Sequence, residues 1–244
     1  MKSLSENSHR SKIGLFFDFC SCFLRYGCFP RQFVYGGFWN KTTNDRKDIL
    51  TYRRIEKLMN QLNDQKSIHF LENKAEFNEF FEQYIHRDWI VSLNADAEEI
   101  KKFIIAHKYV IVKPIDAMEG HGIYKLNRDN IADIDAECAK LSKQNFIIEE
   151  ILQQHHSMVL GNKSVNTIRV HTLIDKTGKA QILSCVLRAG VGDSVVDNYC
   201  SGGVIYPLNT EYGIVDGSGV SRAGSGHIKH PQTEIIMIGF KVPN

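Results

Sequence analysis

Hydrophobic periodicity changes once along this chain, near Tyr109, and that change limits the fold more than any other feature. Before it, apolar residues recur at helical spacing. Ile49, Tyr52, Ile55, Leu58, Met59 and Leu62 do so between about Arg46 and Asn63. Asn73 with Glu76 makes a capping-box-like start for a face of Phe77, Phe80, Phe81 and Tyr84. Asp96 with Glu99 opens another helix, holding Ile100, Phe103 and Ile104. After the change, short β-branched runs take over. Tyr109–Val112 and Gly122–Leu126 read as a hairpin, a helix follows from about Asp129 to Lys143, and Phe146–Ile148 is a further strand. Thr167–Ile174 and Gln181–Arg188 alternate across a polar turn, and a last hairpin pairs Gly203–Leu208 with Ile214 and Val215. Helices first, then a mostly antiparallel sheet with one inserted helix, is an α+β order and not a doubly wound one. The corresponding division is an N-terminal helical region over 1–105, a small lobe over 106–152 and a C-terminal lobe over 153–244.

Composition removes several classes of partner. Thirty Lys+Arg against 28 Asp+Glu give a net charge of +2, which offers no strong electrostatic reason for a nucleic-acid or acidic-lipid partner. The apolar stretch Gly14–Leu24 is about half the ~20 residues of a spanning helix, is interrupted by Asp18, and is followed by no small-residue cleavage site. It reads as a buried helix, with an interfacial anchor as the alternative. Six cysteines that show no framework of closely spaced pairs suit a reducing, cytoplasmic setting. Cys20, Cys22 and Cys28 lack zinc spacing, and His155 and His156 have no second ligand motif nearby.

Four segments carry residue types suited to chemistry. Lys113 ends an apolar strand and is followed by Gly120-His121-Gly122; a buried ammonium needs an anion, and glycine backbones approach phosphate closely. A glycine hairpin with its lysine tip in water explains the same residues. Glu149 and Glu150 end a strand and point to opposite faces, so that one borders a buried region or cleft, unless the strand simply runs into solvent. Thr167, Arg169 and His171 share a strand face; if Arg188 aligns with them, the result is a cationic floor for phosphate or carboxylate, or a solvated sheet face. Asp197 to Gly203 is a polar turn ending in Gly-Gly. Asp216 to Gly226 is a substrate loop or a flexible one.

Taken in order, these segments resemble the ATP-grasp superfamily over about residues 70–240, and most closely its sugar-transfer-associated branch, found with surface-polysaccharide biosynthesis. Ser164–Arg169 and Val196–Gly203 carry the likeness to that branch. The resemblance implies that Lys113 holds ATP phosphates under a loop formed by Gly120, His121 and Gly122, with Lys74 as a second phosphate-contacting lysine. Glu149, Glu150, Ile151 and Leu152 would be the hinge, with the backbone of Glu150 and Leu152 on adenine. Arg169, Arg188 and Asn198 would face the triphosphate or acyl phosphate. ATP with magnesium (Mg2+) would be the cofactors, and a carboxylate and an amine or other nucleophile the substrates, beside polysaccharide-biosynthesis enzymes. The family's magnesium ligands, a later acidic strand and a Glu-x-Asn motif, have no counterpart before Asn244, so no metal-binding residue is assigned. That departure leads to the expectation of a truncated ligase, with a non-catalytic nucleotide-binding relic or a kinase on the same fold as alternatives.

Overall fold

The structure is a computed structural model that describes residues 10–117, 120–222 and 224–243. The chain divides into two compact units, Met1–Leu71 and Glu72–Asn244.

The first unit is helical: α1 (Lys12–Tyr26), α2 (Pro30–Tyr35), α3 (Thr43–Asp48), α4 (Tyr52–Leu62) and α5 (Gln65–Glu72). Ser11 starts α1 by accepting from the Gly14 N–H, and Gly27 closes it by donating back to the Cys22 and Phe23 carbonyls. Cys22, Tyr26, Cys28, Phe33 and Phe38 form its core. Asp18, which interrupts the apolar run in sequence, receives both Arg46 Nη1 at 2.7 Å and Nη2 at 2.8 Å. Burial raises its pKa, but the bonds and charges of Arg46 and Arg10 outweigh that and hold it low.

The expected single helix over Arg46–Asn63 is two. Thr42 and Asp45 cap α3, and Ile49 and Thr51 are extended. The break has a tertiary cause: Ile49 packs on the core and buried Thr51 donates to the Tyr26 carbonyl, which no continuous helix allows.

The second unit carries two antiparallel sheets. The first contains β1 (Trp89–Val91), β2 (Tyr109–Pro114), β3 (Tyr124–Asn127) and β4 (Phe146–Glu150) in the order β1-β4-β2-β3. Helices α6 (Lys74–Phe80), α7 (Ala97–Ala106) and α8 (Ile134–Leu141) belong with it. Asn73 caps α6, and the Asp96–Glu99 capping box opens α7. The helix expected over Asp129–Lys143 begins later, because a 3-10 turn at Arg128–Asn130 precedes the Asp133 cap of α8.

Strand alternation divides this sheet into two working faces. Val110, Val112 and Ile148 pack on Ile100 and Ile104 of α7 and Cys138 and Leu141 of α8. Ile111, Lys113, Lys125 and Glu149 therefore point the other way. Residues 72–105, read in sequence with the N-terminal helices, lie in the second unit: β1 pairs with β4, and α7 covers the sheet.

The second sheet runs β5 (Thr167–Ile174), β6 (Ala180–Ala189), β7 (Val204–Leu208), β8 (Gly219–Ser221) and β9 (Gly224–His227) in sequential order. One face, with Leu187, Ala189, Tyr206 and Leu208, covers Met158, Leu160, Val215 and Met237. The hairpin expected between Gly203–Leu208 and Ile214–Val215 is reduced to one bridge, Leu208 to Val215. Instead β7 lies between β6 and β8, and Ile214 bridges Lys241. The mixed architecture of helices and antiparallel sheets is the α+β class expected.

Candidate functional site

The face of the first sheet that carries Lys113 and Glu149, with one end of the second sheet, lines a cavity of about 330 Å3. Lys113 enters from β2, Glu149 from β4 and Lys125 from β3; Thr167 enters from β5 and Arg188 from β6. The segment Glu149–Leu152 forms one wall, and Val196, Asp197 and Asn198 form another.

Glu149 organises the first-sheet side. It is 2% exposed, accepts from Arg87 Nη2 at 2.6 Å and from Asn78 Nδ2 at 3.0 Å, and is ion-paired with Lys113. Burial would raise its pKa; the Lys113 charge, the Arg87 bond and the Lys113 bond together hold it below the ordinary carboxylate value. Lys113 uses one donor on this carboxylate, and an ammonium has three.

Arg188 organises the other side. The register places it opposite Thr167, on the face that Arg169 and His171 also occupy. Its Nη2 donates to Asp197 Oδ1 at 2.7 Å and also bonds the Asn198 side chain, while Thr167 donates to the second Asp197 oxygen. Burial lowers the Arg188 pKa, with Asp197 opposing and Arg169 adding to the shift. The turn that presents Asp197 and Asn198 depends on Gly203: a Cβ there would lie 2.3 Å from the Asp197 carbonyl oxygen.

At the mouth, Gly120 has φ +82°, and a Cβ would meet Asn198 Nδ2 and Val196 Cγ1 at 3.1 Å. The loop after β2 thus rests its backbone against the second lobe, in a conformation that favours glycine. Met118 and Glu119 of that loop lie outside the described residues.

Of the residues singled out in the sequence, Lys113, Gly120, Glu149, Glu150, Ile151, Leu152, Arg188 and Asn198 line the cavity together. Lys74, His121, Gly122 and Arg169 are not on its walls. Lys74 donates to the Ile115 carbonyl at 2.9 Å and the Ala117 carbonyl at 2.7 Å, holding the start of the loop from behind. Its pKa is lowered by burial first and by the charge of Lys113 second, so the two ammoniums sense each other. His121, Gly122 and Arg169 are exposed, and so is His171, which contacts Ser184. Glu150 contributes backbone: its N–H donates to the Asp88 carbonyl, and its carboxylate faces His107. Arg87, Asn78, Lys125 and Thr167 were not singled out as ligands. Arg87 and Asn78 precede β1 in segments without strand period, whereas Lys125 shares a face with Ile123 by simple alternation and was legible.

Four cations, Arg87, Lys113, Lys125 and Arg188, and three carboxylates line the cavity, and one of those carboxylates (Glu150) is turned away. The balance is cationic. Both oxygens of Glu149 and both of Asp197 already accept from cations or hydroxyl and amide donors. Glu149 and Asp197 therefore offer magnesium no carboxylate oxygen that is not already engaged. The described group of potential metal ligands, Asp88, His107 and Glu150, is a separate cluster reached through the Glu150 side chain.

Residues 131–244 match the family model for sugar-transfer associated ATP-grasp, and residues 74–172 match that for the ATP-grasp domain of prokaryotic glutathione synthetase. Together the two matches span residues 74–244, and both models describe ATP-grasp domains. Among solved structures, an ADP complex of purK, N5-carboxyaminoimidazole ribonucleotide synthetase, has a TM-score of 0.40 at 12% identity, covering 72% of this chain and 49% of that one. The ATP-grasp ligase PsnB, complexed with minimal precursor, has a TM-score of 0.32 at 12% identity, covering 73% of this chain and 65% of that one. The chain spans about half the length of the first and about two thirds of the second. No curated protein matches this chain. No helix among the described residues is long and apolar enough to cross a membrane.

Proposed function

We propose that the cavity between the two sheets binds ATP, and that the chain is the nucleotide-handling part of a carboxylate-activating ligase of surface-polysaccharide biosynthesis. The observation that carries this reading is the meeting of Lys113 and Arg188, from separate sheets, around one cationic hollow closed by the Gly120 backbone. Polyphosphate would lie between the ammonium and the guanidinium, which offset its charge and that of the transferring phosphoryl group. At the hinge, the Leu152 N–H has no backbone partner among the described residues, which suits a purine ring nitrogen. The Glu150 N–H is taken by Asp88, leaving its carbonyl for the adenine amino group.

In the reaction proposed, a substrate carboxylate attacks the γ-phosphorus and ADP leaves; an amine or other nucleophile then displaces phosphate from the acyl phosphate. Lys113 and Arg188 position the phosphates, and Asn198 fixes Arg188. Arg169, outside the cavity wall, would add longer-range positive potential. The sugar-transfer association of the matched model supports a sugar-linked acceptor. Six free cysteines suit the cytoplasmic side, where ATP is found.

A second reading, a nucleotide-binding partner without turnover, is favoured by the pairing of both cavity carboxylates. Calorimetric titration with ATP, followed by assay of ADP with sugar-acid and amino-acid carboxylates plus an amine, tests both. Binding lost in Lys113→Ala and Arg188→Ala, with ADP release that needs the carboxylate, is the ligase result. Binding without ADP under any mixture is the partner result. A phosphorylated product stable without amine would point to a kinase. No ATP binding by the wild type overturns the proposal.

A further inference from the structure

Helix α1 has two apolar faces, and only one has work to do in the core. At 100° per residue, Leu15, Phe19, Cys22 and Tyr26 fall on one side; the structure buries or half-buries all four, and the last three pack with Phe33 of α2 and Phe38 after it. Ile13, Phe16, Phe17, Cys20 and Leu24 fall on the opposite side, within about 100° of arc. Four of these are strongly exposed: Ile13 at 71%, Phe16 at 52%, Phe17 at 65% and Leu24 at 76%. Among the described residues, nothing in the unit itself covers that stripe.

Charge says what would. The unit Met1–Leu71 contains 12 Lys+Arg against six Asp+Glu, whereas Glu72–Asn244 contains 18 against 22. A chain almost neutral overall is thus strongly basic in the unit that presents the stripe and acidic in the rest. Lys12 in the first turn of α1 and Arg25 in the last bracket the stripe, both exposed and without a carboxylate partner among the described residues. At 15 residues, about 22 Å, the helix is too short to span a bilayer. Its length, aromatic apolar side and terminal cations suit a helix lying in the headgroup plane, with the cations reaching lipid phosphates.

We propose that the N-terminal unit docks on an anionic lipid surface through the Ile13–Phe16–Phe17–Cys20–Leu24 stripe of α1. Insertion of the phenylalanines into the acyl boundary supplies affinity, and the basic unit supplies attraction that salt screens. The acidic remainder is held off the surface by the same field. This docking does not depend on nucleotide.

The test uses the full chain and two vesicle preparations, phosphatidylcholine alone and phosphatidylcholine doped with phosphatidylglycerol, with sedimentation as the readout. Wild type should pellet with the doped vesicles, and less at high salt. Phe17→Glu and Leu24→Glu should each lower the apparent affinity at least about tenfold. Their circular dichroism and melting should be unchanged, because both side chains are exposed. The charge reversal Lys12→Glu with Arg25→Glu, which leaves the apolar stripe intact, should weaken the same binding and serves if a stripe variant does not fold. Wild type that stays in the supernatant with both vesicles, or stripe variants that bind as wild type does, would overturn the proposal. So would light scattering that finds a dimer dissolved by Phe17→Glu, which would make a second copy the occupant of the stripe.

Discussion

Lys113 and Glu149 form an ion pair diagonally across β2 and β4: the residue directly opposite Glu149 is Ile111, and Lys113 lies two positions along on the same face. Diagonal neighbours on an antiparallel pair are within reach of long side chains. The carboxylate is almost fully buried, and Arg87 and Asn78 complete its bonding from the segment before β1. A cation at the cavity wall is therefore held by a buried anion that is itself held by a second cation. This arrangement keeps the ammonium in place without neutralising the hollow as a whole.

Removing the anion should cost more than removing either cation. In Glu149→Ala, Lys113 and Arg87 lose a shared partner while their side chains remain only 22% and 19% exposed. Breaking a buried pair from one side typically costs roughly 3–5 kcal/mol. Urea unfolding of Glu149→Ala should show a loss of that order, and Glu149→Gln a smaller one, since an amide oxygen still accepts. A loss under about 1 kcal/mol would mean that the pair is solvated and does not hold the lysine.

The same carboxylate sets a pH dependence with a definite sign. Its native pKa lies below the ordinary value, so its contribution to stability is complete above the unfolded pKa of about 4.3 and is lost as pH falls through the native one. Wild type and Glu149→Gln should therefore differ by a nearly constant amount from about pH 5.3, one unit above that unfolded value, up to about pH 8. The difference should shrink below about pH 4.5. Unfolding free energies measured across that range check it, and a difference that grew toward acid would contradict the direction of the shift.

Strand alternation is a local property, which is why Lys113, Glu149 and the shared face of Thr167, Arg169 and His171 could be read from sequence, whereas the alignment of Arg188 with that face needed the strand register. The capping residues Asn73 and Asp96 were legible for the same reason: each acts within three residues of itself. What escaped was set by distant partners. Arg87 meets Glu149 across 62 positions, and nothing in its neighbourhood has a period. Thr167 and Asp197 are separated by 30 positions, and only their pairing with Arg188 makes the turn at Asp197–Gly203 more than a loop. Ile49 kept helical spacing yet is extended, because the nearby Thr51 hydroxyl bonds a carbonyl 25 residues away. The resemblance groups His121 and Gly122 with Gly120 in one loop, but of the two glycines only Gly120 faces Val196 and Asn198, while Gly122 faces Pro114.

Gly203 is the position where a single methyl should disturb the second-sheet side of the cavity. The added Cβ would meet backbone, the Asp197 carbonyl oxygen at 2.3 Å and the Asn198 oxygen at 3.0 Å, and neither can rotate away. The Gly203 N–H also donates to that Asn198 oxygen, so the turn must open. Overpacking of this kind costs about 1–3 kcal/mol. Gly203→Ala should lower the unfolding midpoint accordingly, and it should weaken ATP binding as well, because Asp197 and Asn198 leave Arg188. Unchanged ATP affinity in a destabilised Gly203→Ala would remove Arg188 from the nucleotide site.

Lys74 provides the sharpest division between direct and indirect roles. Two of its three donors already lie on the Ile115 and Ala117 carbonyls, where the chain leaves β2 for the Gly120 loop. A positioning role there predicts that Lys74→Met lowers ATP affinity by about tenfold or less, whereas Lys113→Ala lowers it by about a hundredfold or more, roughly the 1.4 and 2.7 kcal/mol of one and two decades. The lysines also repel each other, so a double-mutant cycle should show coupling between them. If Lys74 reached phosphate directly, its substitution alone would equal the loss in Lys113→Ala, and Lys74→Arg would restore binding that Lys74→Met lost. Titration of the wild type, Lys74→Met, Lys74→Arg, Lys113→Ala and the double variant with ATP at one ionic strength separates the two outcomes, since a lysine that only ties down the loop start leaves the charge at the cavity wall unaltered.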